Sequence, residues 1–309
     1  MRGSGGEDRC WPSSGSVCRN NCQGRAPAAS SPGLPQGPIA AQCRQRVRKT
    51  PMPPDHRIDY EVKDRVAIIA MNRPRVNAID HAMIDAIHAA LRQANADPGV
   101  GAVILTSALP GMFCGGMDLR MAYEGDALAM RAFLGKFYLE TMNIQYEMTK
   151  PTIAAVNGPA RGAGMTLSIT SDIVLAADDI DLGYPEIDVG LIPAIHYVHL
   201  PRVIGRHKAF ELLFGGKPIS AAEAVSLGIV NHAVPRAALM DRAFEMARAY
   251  AAKSPVIMAL GRGSFMRAND LDYRRNVENQ IETLCNIFST ADGKEGLLAF
   301  LEKREARWG

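Results

Sequence analysis

Residues 157–168 read NGPARGAGMTLS, and this run restricts the fold more than any other part of the chain. It follows PTIAAV (residues 151–156), a short apolar stretch with the pattern of a buried strand, and the strand is closed by Asn157-Gly158. It leads into MTLSITSDIVLAADD (residues 165–179), which reads as a helix running into another apolar strand. Gly162, Ala163 and Gly164 therefore stand where a strand hands over to a helix. Small residues there let another group approach the main chain, and the first N–H groups of a helix have no partner within it. Two occupants suit such a turn: an anionic oxygen, or a strand and helix packed closely together.

The same handover recurs along the chain. VAIIAMN (66–72) reads as a strand, residues 80–95 as an amphipathic helix with Asp80 as N-cap, and GAVILTS (101–107) as a second strand. A glycine-rich loop, ALPGMFCGGMDLRM, precedes a long helix over 127–148 and the strand at 152–156. DIVLAADD and IDLGY read as short strands. After Pro193 helical patterns take over, at 206–214, 221–226, 237–253, 255–268 and 273–288, with a last helix through GLLAFLEKREARW. Alternating strands and helices followed by a helical end predict an α/β core with a helical C-terminal part.

The N-terminal tail differs from the body. Residues 1–51 are rich in Gly, Pro, Ser, Arg and Gln, and are expected to be disordered. They carry eight basic residues against Glu7 and Asp8, so a net charge of +3 for the whole chain leaves the body at −3. A mildly acidic body argues against a nucleic-acid surface. Four of the six cysteines (Cys10, Cys18, Cys22, Cys43) lie in the tail at spacings that match no zinc motif. Only Cys114 and Cys285 remain in the body, which suits a reducing cytoplasm. No apolar run reaches the length of a membrane span, about 18 residues or more.

Three segments carry the candidate chemistry: FCGGMDLRM (113–121), NGPARGAGM (157–165) and GYPEIDVGLIPA (183–194). With NRPRVNAI from Asn72, LPRVIG from Leu200, ISAAEAVSLGIVNHAV from Ile219 and DGKEGLLAFLEKR from Asp292, the order of motifs resembles the enoyl-CoA hydratase/isomerase (crotonase) superfamily. The resemblance spans nearly all of residues 58–309. It implies a crotonase-like spiral of ββα units over 52–250. It also implies a helical C-terminal region over 251–309 that serves trimerisation and capping of coenzyme A, and an assembly of three or six copies. The substrate it implies is an acyl-CoA thioester, with coenzyme A as part of that substrate and no metal or other cofactor.

The resemblance also assigns roles. Two backbone N–H groups, those of Met117 and Ala163, would hold the thioester oxygen as it becomes an enolate. Glu186 falls where hydratases and isomerases of the family carry a catalytic carboxylate. On residues alone it reads as an acid in the first turn of a helix after Pro185. Hydratases carry a second Glu at the position that Thr166 occupies here. A threonine hydroxyl is no base at neutral pH, although it can hold a water. His196 and Tyr184 are the other pocket candidates, with Tyr197 and His199 beside them in a helix read from IHYVHLPRVIG. Ala194 stands where dienoyl isomerases and aromatic dehalogenases of the superfamily have an Asp, which disfavours both activities. Arg75, Asp118, Leu119, Arg120, Phe300 and Lys303 are the candidates for contacts with coenzyme A or substrate.

One carboxylate with two oxyanion donors suffices for a 1,3-proton shift, so the expected reaction is the movement of a double bond in an enoyl-CoA. The alternatives are an enoyl-CoA hydratase with a non-standard second acid, and a non-catalytic acyl-CoA binder. Met52, just ahead of the first strand pattern, is expected to be the natural start. N-terminal sequencing of the native protein tests this, and a sequence beginning upstream overturns it.

Overall fold

The computed structural model describes residues 57–269 and 273–307. The expectations for residues 1–51 and for Met52 lie outside the described residues. The described chain opens with a hairpin, β1 (Ile58–Lys63) antiparallel to β2 (Val66–Met71), with Lys63 opposite Val66. Between them Asp64 and Arg65 take φ of 47° and 65°. A two-residue hairpin turn needs positive φ at both central residues to match the strand twist.

From β2 the chain builds parallel strands. In chain order these are β3 (Ala102–Ser107), β4 (Thr152–Val156), β5 (Ala160–Arg161) and β6 (Ile173–Ala177). The short strands β7 (Asp181–Gly183), β8 (Ile219–Ser220) and β9 (His232–Val234) follow. The main sheet runs β1-β2-β3-β4-β6-β9, and a second sheet runs β5-β7-β8. Every residue of β3 and β4 is buried. Strands covered on both faces read as continuous apolar runs, and both were legible for that reason. β8 and β9 were not: they lie in the stretch that reads as helical, and at two and three residues they are too short to show a period.

The helix His81–Ala96 carries the chain from β2 to β3. Asp80 caps it by accepting from the Met83 amide at 2.8 Å, and the Arg57 and Arg73 guanidinium groups close on the same carboxylate at 2.8 and 3.1 Å. The helix expected over 127–148 forms with an irregularity. Ala127–Leu134 and Thr141–Glu147 are α-helical, while Gly135–Glu140 between them winds as a π-helical turn. That turn directs Phe137 and Tyr138 inward, where both are buried.

A helical C-terminal region is present: Leu239–Ala251, Pro255–Asn269, Tyr273–Phe288 and Ala291–Glu302. Arg262 ties it down. Its buried guanidinium donates to Asp172 at 2.9 Å and to the Gln145 and Met148 carbonyls at 2.7 and 2.6 Å. The helix Ala291–Glu302 packs on Leu119–Glu124 and on a 3-10 turn at Pro185–Val189. Among the described residues no helix is long and apolar enough to cross a membrane.

Asp80→Ala removes the cap and one carboxylate shared by the Arg57 and Arg73 guanidinium groups. We expect it to lower unfolding stability by about 1–2 kcal/mol, typical of a lost N-cap. Urea denaturation measures this, and an unchanged midpoint would mean that the cap contributes nothing.

Candidate active site

β5 is only two residues long, yet three elements of the site hang from it. On one edge Cys114 bridges Ala160, and Arg161 donates to the Cys114 carbonyl at 3.0 Å, so the loop carrying Gly115, Gly116 and Met117 runs alongside. On the other edge β5 pairs with β7, Arg161 opposite Gly183, and Gly162 donates to the Gly183 carbonyl at 3.2 Å. Glu186 follows three residues after Gly183. At its end β5 passes into the helix Ala163–Ile169 through Gly162.

Gly162 has φ 48° and ψ −107°, a combination that residues with a Cβ avoid. Space forbids a side chain as well, since a Cβ there would stand 2.9 Å from Glu186 Oε1. The glycine thus sharpens the turn and admits the carboxylate against the main chain. Ala163, the second small residue of the motif, lies in the helix and is not among the residues with positive φ.

Two amides face the same space. The Gly116 carbonyl accepts from Ile79, and the Asp118 amide donates to the Ile79 carbonyl, both at 2.9 Å. In extended backbone alternate residues point to opposite sides, so the Met117 N–H between them points away from Ile79. The Ala163 N–H is the first of its helix. Among the described residues, neither amide donates a hydrogen bond to a protein acceptor. The helix Ala163–Ile169 has seven residues, so what it contributes is the N–H itself rather than a long dipole.

Met117, Ala163 and Glu186 all line one cavity of about 320 Å³, whose remaining wall is mostly apolar: Leu119, Leu134, Phe137, Leu191, Ile192, Leu284 and Phe300. Glu186 sits in the Pro185–Val189 turn, which ends at Gly190 in the left-handed conformation. The C-terminal helix closes on this turn at Gly296, where a Cβ would meet the Val189 carbonyl at 2.6 Å. Glu186 is partly covered as a residue, but its Oε2 is buried and has no hydrogen-bond partner. Burial raises its pKa to about 7. A carboxyl with that value both accepts and returns a proton near neutral pH.

A larger cleft of about 970 Å³ opens under the helix Pro255–Asn269. The one carboxylate among the described residues that line it, Asp172, is committed to Arg262.

Of the residues singled out in the sequence, the cavity gathers Met117, Ala163, Glu186, Leu119 and Phe300. Thr166, Tyr184 and His196 are not in its wall. They form a buried cluster, with the Thr166 hydroxyl 3.3 Å from His196 Nε2 and the His196 ring edge-on to Tyr184 at 4.5 Å. Burial holds the His196 pKa at about 3, so the imidazole is neutral. The three side chains support the Gly162 turn and Glu186 from within. Asp118 caps the helix Leu119–Glu124 and pairs with Arg73 at 2.8 Å, so its carboxylate is already engaged. Arg75, Arg120 and Lys303 are exposed and outside the cavity wall, and Arg75 and Lys303 take φ of 79° and 55°. The sequence reading missed Tyr138, Asp188 and Arg161, which do line the cavity. Asp188 was in view two residues after Glu186. Tyr138 carried no signal, because a tyrosine in an apolar helix face reads as core.

The model of the enoyl-CoA hydratase/isomerase family matches residues 61–309, and the chain belongs to that family, within the crotonase superfamily. A probable mitochondrial enoyl-CoA hydratase of Dictyostelium discoideum is 33% identical over 258 residues, 80% of this chain and 89% of that protein. An enoyl-CoA hydratase/isomerase structure from Xanthobacter autotrophicus Py2 is 31% identical with a TM-score of 0.73, covering 82% of this chain and 98% of the other. The human mitochondrial delta3-delta2-enoyl-CoA isomerase shares the fold at a TM-score of 0.72 and 22% identity, covering 80% and 97%.

Gly162→Ala imposes a backbone strain of about 1–3 kcal/mol and displaces Glu186. We expect turnover to fall roughly 100-fold, as a misplacement of about 1 Å can cause, with far-ultraviolet circular dichroism unchanged. Retained turnover would show that the turn does not position the acid.

Proposed function

We propose that this acyl-CoA enzyme shifts a double bond in an enoyl-CoA, with Glu186 as the only proton carrier. The observation that carries this reading is one buried carboxylate, with an unpartnered oxygen, beside two free backbone amides in an apolar cavity. The thioester oxygen of a 3-enoyl-CoA would rest on the Met117 and Ala163 N–H groups. Glu186 would take a proton from C2, the charge would spread onto that oxygen, and the same carboxyl would return the proton at C4. Each oxyanion donor in such a site is worth about 2.7–4 kcal/mol of transition-state stabilisation. The reading needs no cofactor beyond the coenzyme A of the substrate, and it includes an assembly of three or six copies.

A second reading, addition of water to a 2-enoyl-CoA, has two supports. Relatives such as the Dictyostelium protein are named as hydratases, and Asp188 puts a second carboxylate on the cavity. Against it, the position of a hydratase's second Glu is Thr166, which is buried away from the cavity.

The test incubates the full chain with 3-enoyl-CoA and 2-enoyl-CoA esters and follows products by chromatography with mass spectrometry. A conjugated product of unchanged mass from the 3-enoyl ester supports the isomerase. Gain of water by the 2-enoyl ester, with no shift of the 3-enoyl ester, moves the assignment to hydratase. Glu186→Gln should lower turnover by about 10²–10⁴ while leaving affinity for coenzyme A esters in place. Because the ionised carboxylate is the base, wild-type activity should rise with pH and level off above about 7. A flat profile between pH 5 and 8 would remove Glu186 from the mechanism.

A further inference from the structure

Tyr138 is a neutral polar group on the cavity wall that the reaction above leaves without a task. It comes from the π-helical turn Gly135–Glu140, a winding that interrupts two α-helical stretches and is frequent at functional sites. The residue is 8% exposed and lines the same cavity as Glu186 and the two amides. Among the described residues its hydroxyl makes no hydrogen bond, and burial together with the Glu186 charge raises its pKa.

No protein acceptor or donor is hydrogen-bonded to that hydroxyl among the described residues. The neighbouring wall is Leu134, Phe137 and Leu284, and the Tyr138 ring packs against Phe137 at 5.3 Å between centroids. A phenylalanine would fill the same volume, so packing alone does not call for the hydroxyl. Tyrosines buried at one end normally find a partner for the other. Protein supplies none here, and the cavity supplies room for a ligand that does.

We infer that Tyr138 is a specificity-determining residue whose hydroxyl binds an oxygen substituent on the acyl chain of the coenzyme A ester, so that the site favours oxygenated acyl groups over plain hydrocarbon ones. The inference rests on the acyl-CoA reading of the cavity, but not on which of its two reactions is performed. Phe137, one residue earlier on the turn, supplies apolar wall, and Tyr138 adds a neutral polar group beside the charged Arg161, Glu186 and Asp188. A net neutral hydrogen bond corresponds to a preference of about tenfold at most.

The experiment compares binding of butyryl-CoA with that of 3-hydroxybutyryl-CoA and 4-hydroxybutyryl-CoA by isothermal titration calorimetry, on the full chain and on Tyr138→Phe. The expected result is that one hydroxy ester binds the wild type roughly five- to tenfold more tightly than butyryl-CoA. Tyr138→Phe should abolish that difference while changing butyryl-CoA affinity by less than twofold. KM for the oxygenated substrate should rise correspondingly, with kcat nearly constant. The inference is overturned if wild type binds all three esters equally, or if the preference survives in Tyr138→Phe. Those outcomes leave the acyl-CoA reading intact. If no ester binds the wild type at all, both the inference and the reading fall together.

Discussion

The site depends on one backbone constraint, the turn at Gly162. Its dihedral angles lie outside the range of residues with a Cβ, and the space that a Cβ would need is held by Glu186 Oε1. The two facts reinforce one another. The turn ends β5 abruptly and starts a helix whose first residue lines the cavity, while the missing side chain lets the carboxylate stand against the main chain. β5 pairs with the Cys114 segment on one edge and with β7 on the other. Met117, Ala163 and Glu186 are therefore located by main-chain hydrogen bonds rather than by flexible side chains.

Placing a carboxylate in such surroundings costs stability, because burial disfavours its charged form. The chain meets that cost by keeping the proton on Glu186 until near neutral pH rather than by supplying a counter-ion. Arg161, also on the cavity wall, is paired with Asp181 at 2.8 Å. The acid keeps the intermediate affinity for a proton that an acid/base shuttle needs. Behind it, Thr166, His196 and Tyr184 fill the volume with neutral groups. A protonated imidazole at His196 would lower the Glu186 pKa, and its burial keeps it neutral.

Much of the site was legible in the sequence because it is made of backbone. Glycine-rich loops after apolar strands mark where main chain is bared, and Pro185-Glu186 marks an acid at the start of a turn. What was not legible depends on where side chains point. Thr166 is three residues past Ala163 on a helix of two turns, and its facing decides whether it meets substrate or core. It meets core. Lys303 and Arg75 carry the charge that suits phosphates, but both sit in left-handed conformations at exposed loop positions, and sequence says nothing about that direction.

The amino-acid sequence by itself determined the α/β architecture and the family, and it named Met117, Ala163 and Glu186 as candidates. The architecture rests on local rules, apolar runs for buried parallel strands among them, whereas the family and the site candidates rest on the order of short motifs along the chain. The tertiary structure decided which candidates share a cavity. It moved Thr166, Tyr184 and His196 behind the site, added Tyr138 through a π-helical winding, and closed the C-terminal helix over the Glu186 turn at Gly296. Those outcomes depend on contacts between segments as far apart as Val189 and Gly296. A pattern within one segment carries no record of them, because packing is decided jointly by all the elements that meet.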